Sequence, residues 1–436
     1  MKRLVLAALF SLGACSAGPG TVMMQGELPP DVTGYFPADY WDARDAFRGA
    51  CARLTASVGA VCQAYTIGGE PTSTSGRDPA RDLTIDTAFI PAKQGVRSDR
   101  LLTVQSGIHG SEAATGSAAE RLLMDRHIDA LRDKGIDVLL IHAINPWGFC
   151  SGRRTDANNV NLNRNFRTDW DNPDANEINQ DNALYGKVQS IAVPEGPIAN
   201  LRGAIARILI ELAWASITGT DVADGLDSGQ YYSSKGLNFG GNRAQPQVRF
   251  IDDAVVPTMK RYQKIVFLDF HTGLGVNGQL ALIRGKNVED VEAKAEALDR
   301  LLGRPKLAGG KRCETGMDIV VKDPDCPGMF KTEGDVIDYV PYVLDQGLRS
   351  GEAKKEVVSV TAEFGTMGDD GLKQALSAAR MILENQARTY GCESKDVCDE
   401  VGDDFSELFN PVDVDWRRKV MAESDELFRK VEENFR

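Results

Sequence analysis

The chain has 436 residues, of which 42% are hydrophobic, and a formal net charge of −13 at pH 7. This length suits one large α/β domain with insertions or two domains, and the apolar fraction allows a sizeable core. The acidic balance argues against a nucleic-acid partner, and no basic run or Gly-rich phosphate-binding motif stands out.

The N-terminus has the pattern of an export signal. Lys2 and Arg3 precede an apolar stretch over residues 4–12, which is too short to span a bilayer as a helix. The stretch leads into a Leu-Gly-Ala-Cys sequence that ends at Cys15 and resembles a bacterial lipobox, where cleavage precedes a lipidated cysteine. We therefore predict a signal peptide over residues 1–14 and a membrane anchor on Cys15 that faces the periplasm or the cell exterior. Ordinary cleavage nearby, which would leave an unanchored periplasmic protein, is the alternative.

The composition of the remaining chain predicts four further segments. Residues 15–39 are rich in Gly, Pro and small side chains, which favours a flexible tether. The main folded domain is predicted over residues 40–395, with a long insertion over residues 170–262 that carries its own helices. Residues 227–242, rich in Gly, Tyr and Ser, are predicted to be a loop within this insertion. A helical tail is predicted over residues 396–436.

Hydrophobic periodicity predicts alternating helices and strands within the main domain. The predicted elements are a helix over 40–54, strands over 64–67, 83–90 and 101–105, a helix over 112–127, a strand over 137–142, a helix over 198–215, strands over 265–270 and 279–283, a helix over 288–302, a strand over 356–362, and helices over 371–390 and from 411 onwards. Residues 303–335 look irregular. The strand, helix and strand over 101–142 form a βαβ unit, which implies parallel strands in a sheet covered on both faces. We predict an α/β fold with a mixed, mainly parallel twisted sheet and helices on both faces.

Export makes disulfide bonds possible. Three pairs of neighbouring cysteines are the candidates, namely Cys51–Cys62, Cys313–Cys326 and Cys392–Cys398, although sequence alone does not fix the connectivity. Cys150 is then left over, and we interpret it as a buried thiol rather than as a nucleophile.

Two of the four histidines lie where predicted buried strands end. His109 follows one such strand and has Glu112 three residues later, while His271 follows another. Ligands of open α/β sheets bind beyond the carboxyl ends of parallel strands. Two histidines and one carboxylate, with a fourth position left open, form the ligand set typical of catalytic zinc. The other two histidines have ordinary interpretations: we expect His127 at the surface and His142 packed and hydrogen-bonded in the core.

Two further features could supply catalytic groups. Glu363 ends the last predicted buried strand, where a carboxylate beside a metal can act as a general base. The run over residues 153–166 is dense in Arg and Asn, whose donors suit carboxylates and oxyanions. A surface glutamate and a solvated Asn-rich turn are the ordinary alternatives.

In this order, the motifs resemble those of the zinc carboxypeptidase (carboxypeptidase A-like) superfamily. The matching motifs are His109-x-x-Glu112, the turn over 145–149, Arg154, the Asn-rich run over 161–166, His271 and Glu363. The segments over 229–231, 240–241, 269–275 and 363–366 also resemble a bacterial branch of this superfamily known as a domain of unknown function. The resemblance implies the phosphorylase/hydrolase-like sheet of these enzymes.

The resemblance also implies a metal centre and a base. His109, Glu112 and His271 would bind one Zn²⁺ per chain. Glu363 would activate the attacking water and later protonate the leaving amine.

Other residues would handle the substrate in such an enzyme. Arg154 would polarise the scissile carbonyl, with Arg153 as the runner-up, and Asn163 and Arg164 would hold the terminal carboxylate of the substrate. The usual substrate-capping tyrosine has no clear match in this sequence, although Tyr342 lies at about the right distance before Glu363.

Some features depart from the superfamily pattern. Asn161 stands where Asp is common, and the insertion over residues 170–262 is large, so substrate specificity does not carry over.

We therefore expect an exported, lipid-anchored zinc hydrolase that cleaves an amide or peptide bond near a free carboxylate, with a peptide or an N-acyl amino acid as substrate. The alternative with the same chemistry is a deacylase of small N-acyl amino acids, like the aspartoacylase and succinylglutamate desuccinylase branch. The alternative of a different class is a catalytically silent binding lipoprotein, which would have no need of Glu363 opposite Glu112. A serine hydrolase is not supported, because the sequence has no Gly-x-Ser-x-Gly motif.

Overall fold

The computed structural model describes residues 32–67, 83–96, 98–170, 183–285, 291–304, 313, 319–323, 326, 332–346, 354–368 and 370–436. The predicted signal peptide, Cys15 and most of the predicted tether lie outside these residues. Within the described part of the chain, no helix has the length and apolar character needed to cross a membrane.

Eight strands of the described chain form one sheet. They are β1 (Val61–Thr66), β2 (Thr84–Ile90), β3 (Arg100–Ser106), β4 (Ile136–His142), β5 (Lys264–Gly273), β6 (Leu280–Arg284), β7 (Ile319–Lys322) and β8 (Glu356–Gly365). Their order across the sheet is β1-β2-β4-β3-β5-β8-β6-β7. The central strands β4, β3, β5 and β8 are parallel, whereas β2 pairs antiparallel with β4 and β6 pairs antiparallel with β8. The prediction of a mixed, mainly parallel sheet is confirmed.

Helices surround this sheet. They are α1 (Tyr40–Val58), α2 (Ala113–Arg126), α3 (Ile128–Asp133), α4 (Pro146–Cys150), α5 (Ala183–Ala192), α6 (Leu201–Ile217), α7 (Val222–Asp227), α8 (Pro246–Phe250), α9 (Val256–Met259), α10 (Val291–Leu301), α11 (Val336–Gln346), α12 (Gly371–Tyr390), α13 (Lys395–Phe409) and α14 (Val414–Asn434). Short 3-10 helices span Val32–Tyr35, Gly110–Glu112 and Leu162–Arg164. A π-helical turn over Ile251–Val255 joins α8 to α9.

Several helices begin at side chains that suit a helix N-terminus. Asp39, Asp370, Ser394 and Asp413 precede α1, α12, α13 and α14, and each accepts a hydrogen bond from a backbone N–H of the first turn. Such caps satisfy donors that have no partner within the helix. Helix α12 has the bounds that the periodicity predicts.

The two faces of the sheet carry separate hydrophobic clusters. Along β5, Val266 and Leu268 pack into one cluster with residues of α1, α2 and α14, while Ile265 and Phe267 pack into a second cluster with residues of α8, α9 and α11. This alternation follows from the period-two side-chain direction of a strand, and a strand buried on both faces reads as a continuous apolar run. Helices therefore cover both faces, as predicted.

The C-terminal helix is part of the core. The apolar face of α14, predicted from Trp416, Val420, Leu427 and Val431, is fully buried at all four positions. The indole Nε1 of Trp416 donates a hydrogen bond to the carbonyl oxygen of Gly365, at 2.8 Å. This contact attaches α14 to the carboxyl end of β8.

The three predicted disulfides are confirmed. Bonds join Cys51 to Cys62, Cys313 to Cys326, and Cys392 to Cys398. Cys150 is only partly buried, so the expectation of a buried thiol there is wrong.

Two other expectations are also wrong. Strand β7 lies inside the segment 303–335, which looked irregular in sequence. The strand was not predicted because its four residues are too few for a periodic signal. His127 is 6% exposed rather than at the surface, since α14 covers it. His142, by contrast, is a packed core residue as expected: it is fully buried, it stacks on Phe47, and its Nε2 lies 3.0 Å from the Ser117 hydroxyl.

Candidate active site

A tight turn after β3 positions the first two candidate ligands. Gly107 has φ +71°, and an added Cβ there would lie 2.9 Å from the Cβ atoms of Ala113 and Ala143. At Gly110 an added Cβ would lie 2.0 Å from the backbone of Gly148, so only glycine allows this approach. His109 lies between these glycines, and the short 3-10 helix that follows ends at Glu112.

The remaining candidate ligand and the candidate base lie on adjacent parallel strands. His271 on β5 and Glu363 on β8 are directly paired in the register, so their side chains project from the same face. Both residues lie within their strands, two residues before the last, rather than beyond the strand ends. The sequence predicted the strands to end earlier than they do.

His109, Glu112 and His271 converge on one point. One ligand atom from each lies within 4.8 Å of the others, and all three side chains are buried. His109 Nδ1 lies 2.9 Å from Glu112 Oε1, and His271 Nδ1 lies 3.1 Å from Glu112 Oε2. The backbone N–H of Thr272 also donates to Glu112 Oε2, at 3.0 Å, which fixes the carboxylate between the two rings.

The far nitrogen of each ring has its own partner. Asn161 Oδ1 accepts a hydrogen bond from the backbone N–H of Asn163, so this atom is the amide oxygen, and His109 Nε2 must donate to it, at 3.0 Å. His271 Nε2 donates to the Asp269 carboxylate at 2.8 Å. Each histidine therefore presents Nδ1 to Glu112, and partners of this kind are typical of metal-binding histidines.

His109 Nδ1 provides a test of whether a cation fits. This atom is buried and forms no hydrogen bond with any described residue, although Glu112 Oε1 lies 2.9 Å away. Because Nε2 carries the proton, Nδ1 has a lone pair, and this lone pair faces a carboxylate oxygen. Two acceptors at this distance suit a shared cation, and two imidazoles with one carboxylate suit Zn²⁺.

Burial and charge shift the pKa values of these groups. Burial, reinforced by the Arg154 guanidinium, lowers the pKa of His109 to about 3, so its ring is neutral at pH 7. Burial alone would raise the pKa of Glu112, but His109 and His271 hold it below its ordinary value. Burial alone would lower the pKa of His271, but the Asp269 carboxylate raises it well above the ordinary value.

Glu363 lies in an environment that suits proton transfer. It is 8% exposed, and its Oε1 accepts a hydrogen bond from the backbone N–H of Leu274, at 2.8 Å. Burial first, and the negative charge of Glu112 second, raise the pKa of Glu363 to about 7. A carboxyl group with a pKa near neutrality can both take and give a proton.

The two neighbouring arginines point to different places. Arg154 lines the same cleft as His109 and Glu363, and its Nε lies 3.7 Å from Glu112 Oε1. Arg153 is directed instead at Glu384 of α12, with 2.7 Å between Nε and Oε1. The geometry thus favours Arg154, the preferred candidate, as the arginine beside the metal ligands.

Asn163 and Arg164 also line the cleft. Asn163 Oδ1 accepts a hydrogen bond from the backbone N–H of Val336, so its Nδ2 is the end with donors to offer. Arg164 is held by Asp335, which accepts from Nη1 at 3.2 Å, and by the carbonyl oxygen of Asp227, which accepts from Nε and Nη2. A guanidinium held in this way is fixed before a ligand arrives.

Tyr342, the candidate for the substrate-capping tyrosine, is 46% exposed and is not among the residues that line the cleft. The position of this side chain gives no support to that role.

Sequence reasoning missed three residues of the site. Asp269 could have been found, because a residue two positions before His271 on a strand lies on the same face. Asn238, which lies in the predicted insertion and accepts a hydrogen bond from Arg154, carries no sequence signal. Phe409, at the end of α13, also lines the cleft, and its carbonyl oxygen accepts a hydrogen bond from the Thr272 hydroxyl. Its approach depends on how the C-terminal helices pack.

A family model described as "Protein of unknown function (DUF2817)" matches residues 36–314, which is more than half of the chain. The chain belongs to this family. A search of curated proteins gave no match.

Solved structures of metallo-carboxypeptidases are among those similar to the chain. Carboxypeptidase A from Helicoverpa armigera is 17% identical, with 81% of this chain and 73% of that one covered and a TM-score of 0.41. Thrombin activatable fibrinolysis inhibitor is 12% identical, with 86% and 74% covered and a TM-score of 0.43. A metallo-carboxypeptidase from Burkholderia cenocepacia is 14% identical, with 80% and 69% covered and a TM-score of 0.39. The activities of these proteins are properties of those proteins. The function proposed below rests on the side chains of this chain.

Proposed function

We propose that the protein is a zinc-dependent hydrolase that cleaves an amide or peptide bond near a free carboxylate. One observation carries the proposal: His109, Glu112 and His271 converge within 4.8 Å, and Glu363 is paired in register beside His271. A candidate metal-binding cluster with a carboxyl group of pKa about 7 on the neighbouring strand suits metal-assisted hydrolysis of an amide.

His109, Glu112 and His271 would hold the zinc ion. When bound, zinc supplies Lewis acidity that polarises a carbonyl group and lowers the pKa of water. The Asn161 and Asp269 side chains accept hydrogen bonds from Nε2 of the two histidines, which would leave each Nδ1 available to the ion.

Glu363 would move the proton. The Leu274 N–H holds Oε1, so we place the proton exchange at Oε2. The carboxylate would take a proton from the attacking water as the water oxygen bonds to the carbonyl carbon. It would then give that proton to the nitrogen as the C–N bond breaks, so that the amine leaves neutral rather than as an amide anion.

Arg154 would stabilise the negative charge that develops on the carbonyl oxygen, as fixed donors do in a dry cleft. Asn163 and Arg164 would bind the free carboxylate of the substrate, since amide and guanidinium donors suit that group. A deacylase of N-acyl amino acids needs the same side chains, and the substrate profile separates the two activities.

We also propose that Cys15 carries the lipid anchor and that the enzyme acts at the membrane, outside the cytoplasm. The lipobox-like sequence before Cys15 supports this proposal. Three disulfide bonds agree with an oxidising compartment.

The test combines metal analysis with substrate screening. Purified wild type and Glu363→Gln are analysed for zinc and then incubated with a peptide library and a panel of N-acyl amino acids. We expect about one zinc per chain in both proteins and cleavage by wild type only, with a loss in the variant of about 10²- to 10⁴-fold. Glu356→Gln, an exposed position on the same strand, is the matched control and should cleave as wild type does.

Two results would contradict the proposal. Absence of zinc from wild type would remove the metal centre, and cleavage at the wild-type rate by Glu363→Gln would remove the base. Turnover confined to N-acyl amino acids would identify the deacylase instead of the peptidase.

A further inference from the structure

Asn238, in the loop of the insertion, reaches the centre of the candidate site. It is 3% exposed and has φ +51°, a backbone conformation that Asn tolerates better than most residues. Its Nδ2 donates to the carbonyl oxygen of Leu226, at 2.9 Å. This bond fixes which end of the amide is which and leaves Oδ1 as the acceptor that faces the site.

The Oδ1 atom of Asn238 accepts two hydrogen bonds from the site. Asn161 Nδ2 donates to it at 2.7 Å, and Arg154 Nη1 donates to it at 3.0 Å. Buried amide groups that are satisfied at both ends define one orientation for their neighbours. Asn238 therefore touches the two groups that separately serve the metal ligand and the substrate carbonyl.

The contact with Asn161 sets the tautomer of a metal ligand. Because Asn161 must direct Nδ2 at Asn238, its Oδ1 is directed at His109 and accepts the Nε2–H. The His109 proton is then kept on Nε2, and Nδ1 remains available for a cation. The order of donors and acceptors runs without a break from the Leu226 carbonyl to the His109 ring.

The contact with Arg154 fixes a second group. Arg154 is partly buried beside Glu112, and its Nε atom is inaccessible and forms no hydrogen bond with any described residue. The Asn238 amide oxygen is a neutral acceptor, so it holds the guanidinium without neutralising its charge. A carboxylate at the same place would hold the arginine more tightly but would compete with the developing oxyanion for it.

We propose that Asn238 is a positioning residue through which the insertion fixes both the His109 tautomer and the direction of Arg154. The Arg154 part of this proposal rests on the proposed hydrolase function, whereas the His109 part concerns metal binding only. The insertion would then be a working part of the active site rather than an appendage to it.

The test compares two glycine variants. Asn238→Gly removes the side chain without backbone strain, because glycine accepts a positive φ. Asn159→Gly is the matched control: Asn159 has φ +61°, and its side chain contacts Arg153 and Asn385 but neither Arg154 nor Asn161. Chelator competition measures the Zn²⁺ affinity of each variant. Steady-state assays with a substrate that wild type cleaves give kcat and KM, and thermal unfolding gives the stability.

We expect Asn238→Gly to weaken Zn²⁺ binding about 10- to 100-fold, the usual effect of losing a residue that orients a ligand. Its kcat should fall while KM changes little, because Arg154 acts on the transition state. Asn159→Gly should keep the Zn²⁺ affinity of wild type.

Double variants separate the two effects. In an Asn161→Ala background, Asn238→Gly should cause no further loss of Zn²⁺ affinity, and in an Arg154→Ala background it should cause no further loss of kcat at saturating zinc. Wild-type Zn²⁺ affinity in Asn238→Gly, or an equal loss of Zn²⁺ affinity in Asn238→Gly and Asn159→Gly, would overturn the proposal. If wild type binds Zn²⁺ but cleaves no substrate, the hydrolase function fails while the zinc measurements still decide the role of Asn238 toward His109.

Discussion

Asp269 illustrates how a residue outside the ligand set can control it. Its carboxylate accepts hydrogen bonds from His271 Nε2, at 2.8 Å, and from Gln105 Nε2, at 2.9 Å. The negative charge raises the electron density of the ring and fixes its direction. The three residues lie on adjacent strands, so the sheet itself sets these distances.

We predict that Asp269→Asn weakens Zn²⁺ binding about 10-fold or more, because a neutral amide replaces the charged acceptor. Chelator competition measures the change. Asp137→Asn is the control, since Asp137 is also a buried strand carboxylate but bonds to Ala92 and Tyr262. An unchanged affinity in Asp269→Asn would show that His271 does not need this charge.

His127 provides a pH-dependent contribution to stability. Its ring nitrogens lie against Asp425 and Glu432 of α14, and these carboxylates raise the pKa of His127 although burial alone would lower it. A raised pKa in the folded state means that the stabilisation is present in full below the unfolded pKa of about 6.5 and is lost as the pH rises through the folded pKa.

We therefore predict that His127→Gln lowers the free energy of unfolding by about 1.5–3 kcal/mol at pH 6, the range for hydrogen bonds to charged groups, and by less at pH 9. Urea unfolding at several pH values measures the difference from wild type. His142→Gln is the control with the opposite slope: burial lowers the pKa of His142 to about 3, so what the neutral ring contributes diminishes below about pH 6.5. A pH-independent difference for His127→Gln would contradict the ion-pair interpretation.

At the scale of elements, β8 and α14 are joined at the point where the site begins. Gly365 ends β8 two residues after Glu363, and its carbonyl oxygen accepts the indole N–H of Trp416. The helix therefore fixes the end of the strand that carries the candidate base. The same oxygen also accepts a hydrogen bond from the backbone N–H of Gly278, at 2.8 Å, so the indole is one of its two donors.

We predict that Trp416→Phe lowers the free energy of unfolding by about 0.5–1.5 kcal/mol, because the Gly365 oxygen loses one of its two donors while most of the apolar contact is kept. Trp416→Ala should cost about 3–5 kcal/mol through the cavity it creates. Val414→Ala, at an exposed position on the same helix, should change little. Equal stabilities of Trp416→Phe and wild type, by urea unfolding, would show that this hydrogen bond is dispensable.

At the scale of the whole molecule, the proposed lipid anchor determines where the protein resides. The predicted anchor at Cys15 precedes the described residues, and the first described element is the 3-10 helix at Val32–Tyr35, which packs against the core beside α2 and α14. A tether of this length would leave the folded domain close to the surface that holds its N-terminus.

We predict that Cys15→Ser releases the full-length protein from the membrane fraction, because no acyl chain can be attached without the thiol. Cell fractionation with immunoblotting of wild type and variant measures this. Cys150→Ser should remain with the membrane as wild type does. Equal partition of Cys15→Ser and wild type would contradict lipidation at this residue.

The parts of the fold and site that could be predicted share one property. Each of these site residues lies at or shortly after a continuous apolar run: His109 with Glu112 three residues later, His271, and Glu363. Such runs predict the central strands of a parallel sheet. The carboxyl ends of these strands meet at one edge of the sheet. The positions of the four residues along the chain were therefore sufficient to predict that they lie close together. Asp269 could have been predicted in the same way, because residues two apart on a strand face the same side and Asp269 lies two positions before His271.

By itself, the sequence determined the central strands, the candidate cysteine pairs, the ligand candidates and the family, because each leaves a local periodic or spaced pattern. Only the tertiary structure decided which arginine adjoins the metal ligands, that Asn238 joins Arg154 to Asn161, and that α14 completes the core. Those outcomes depend on contacts between segments separated by tens to hundreds of residues. Their side chains are of common types, and only packing in three dimensions determines which of them meet.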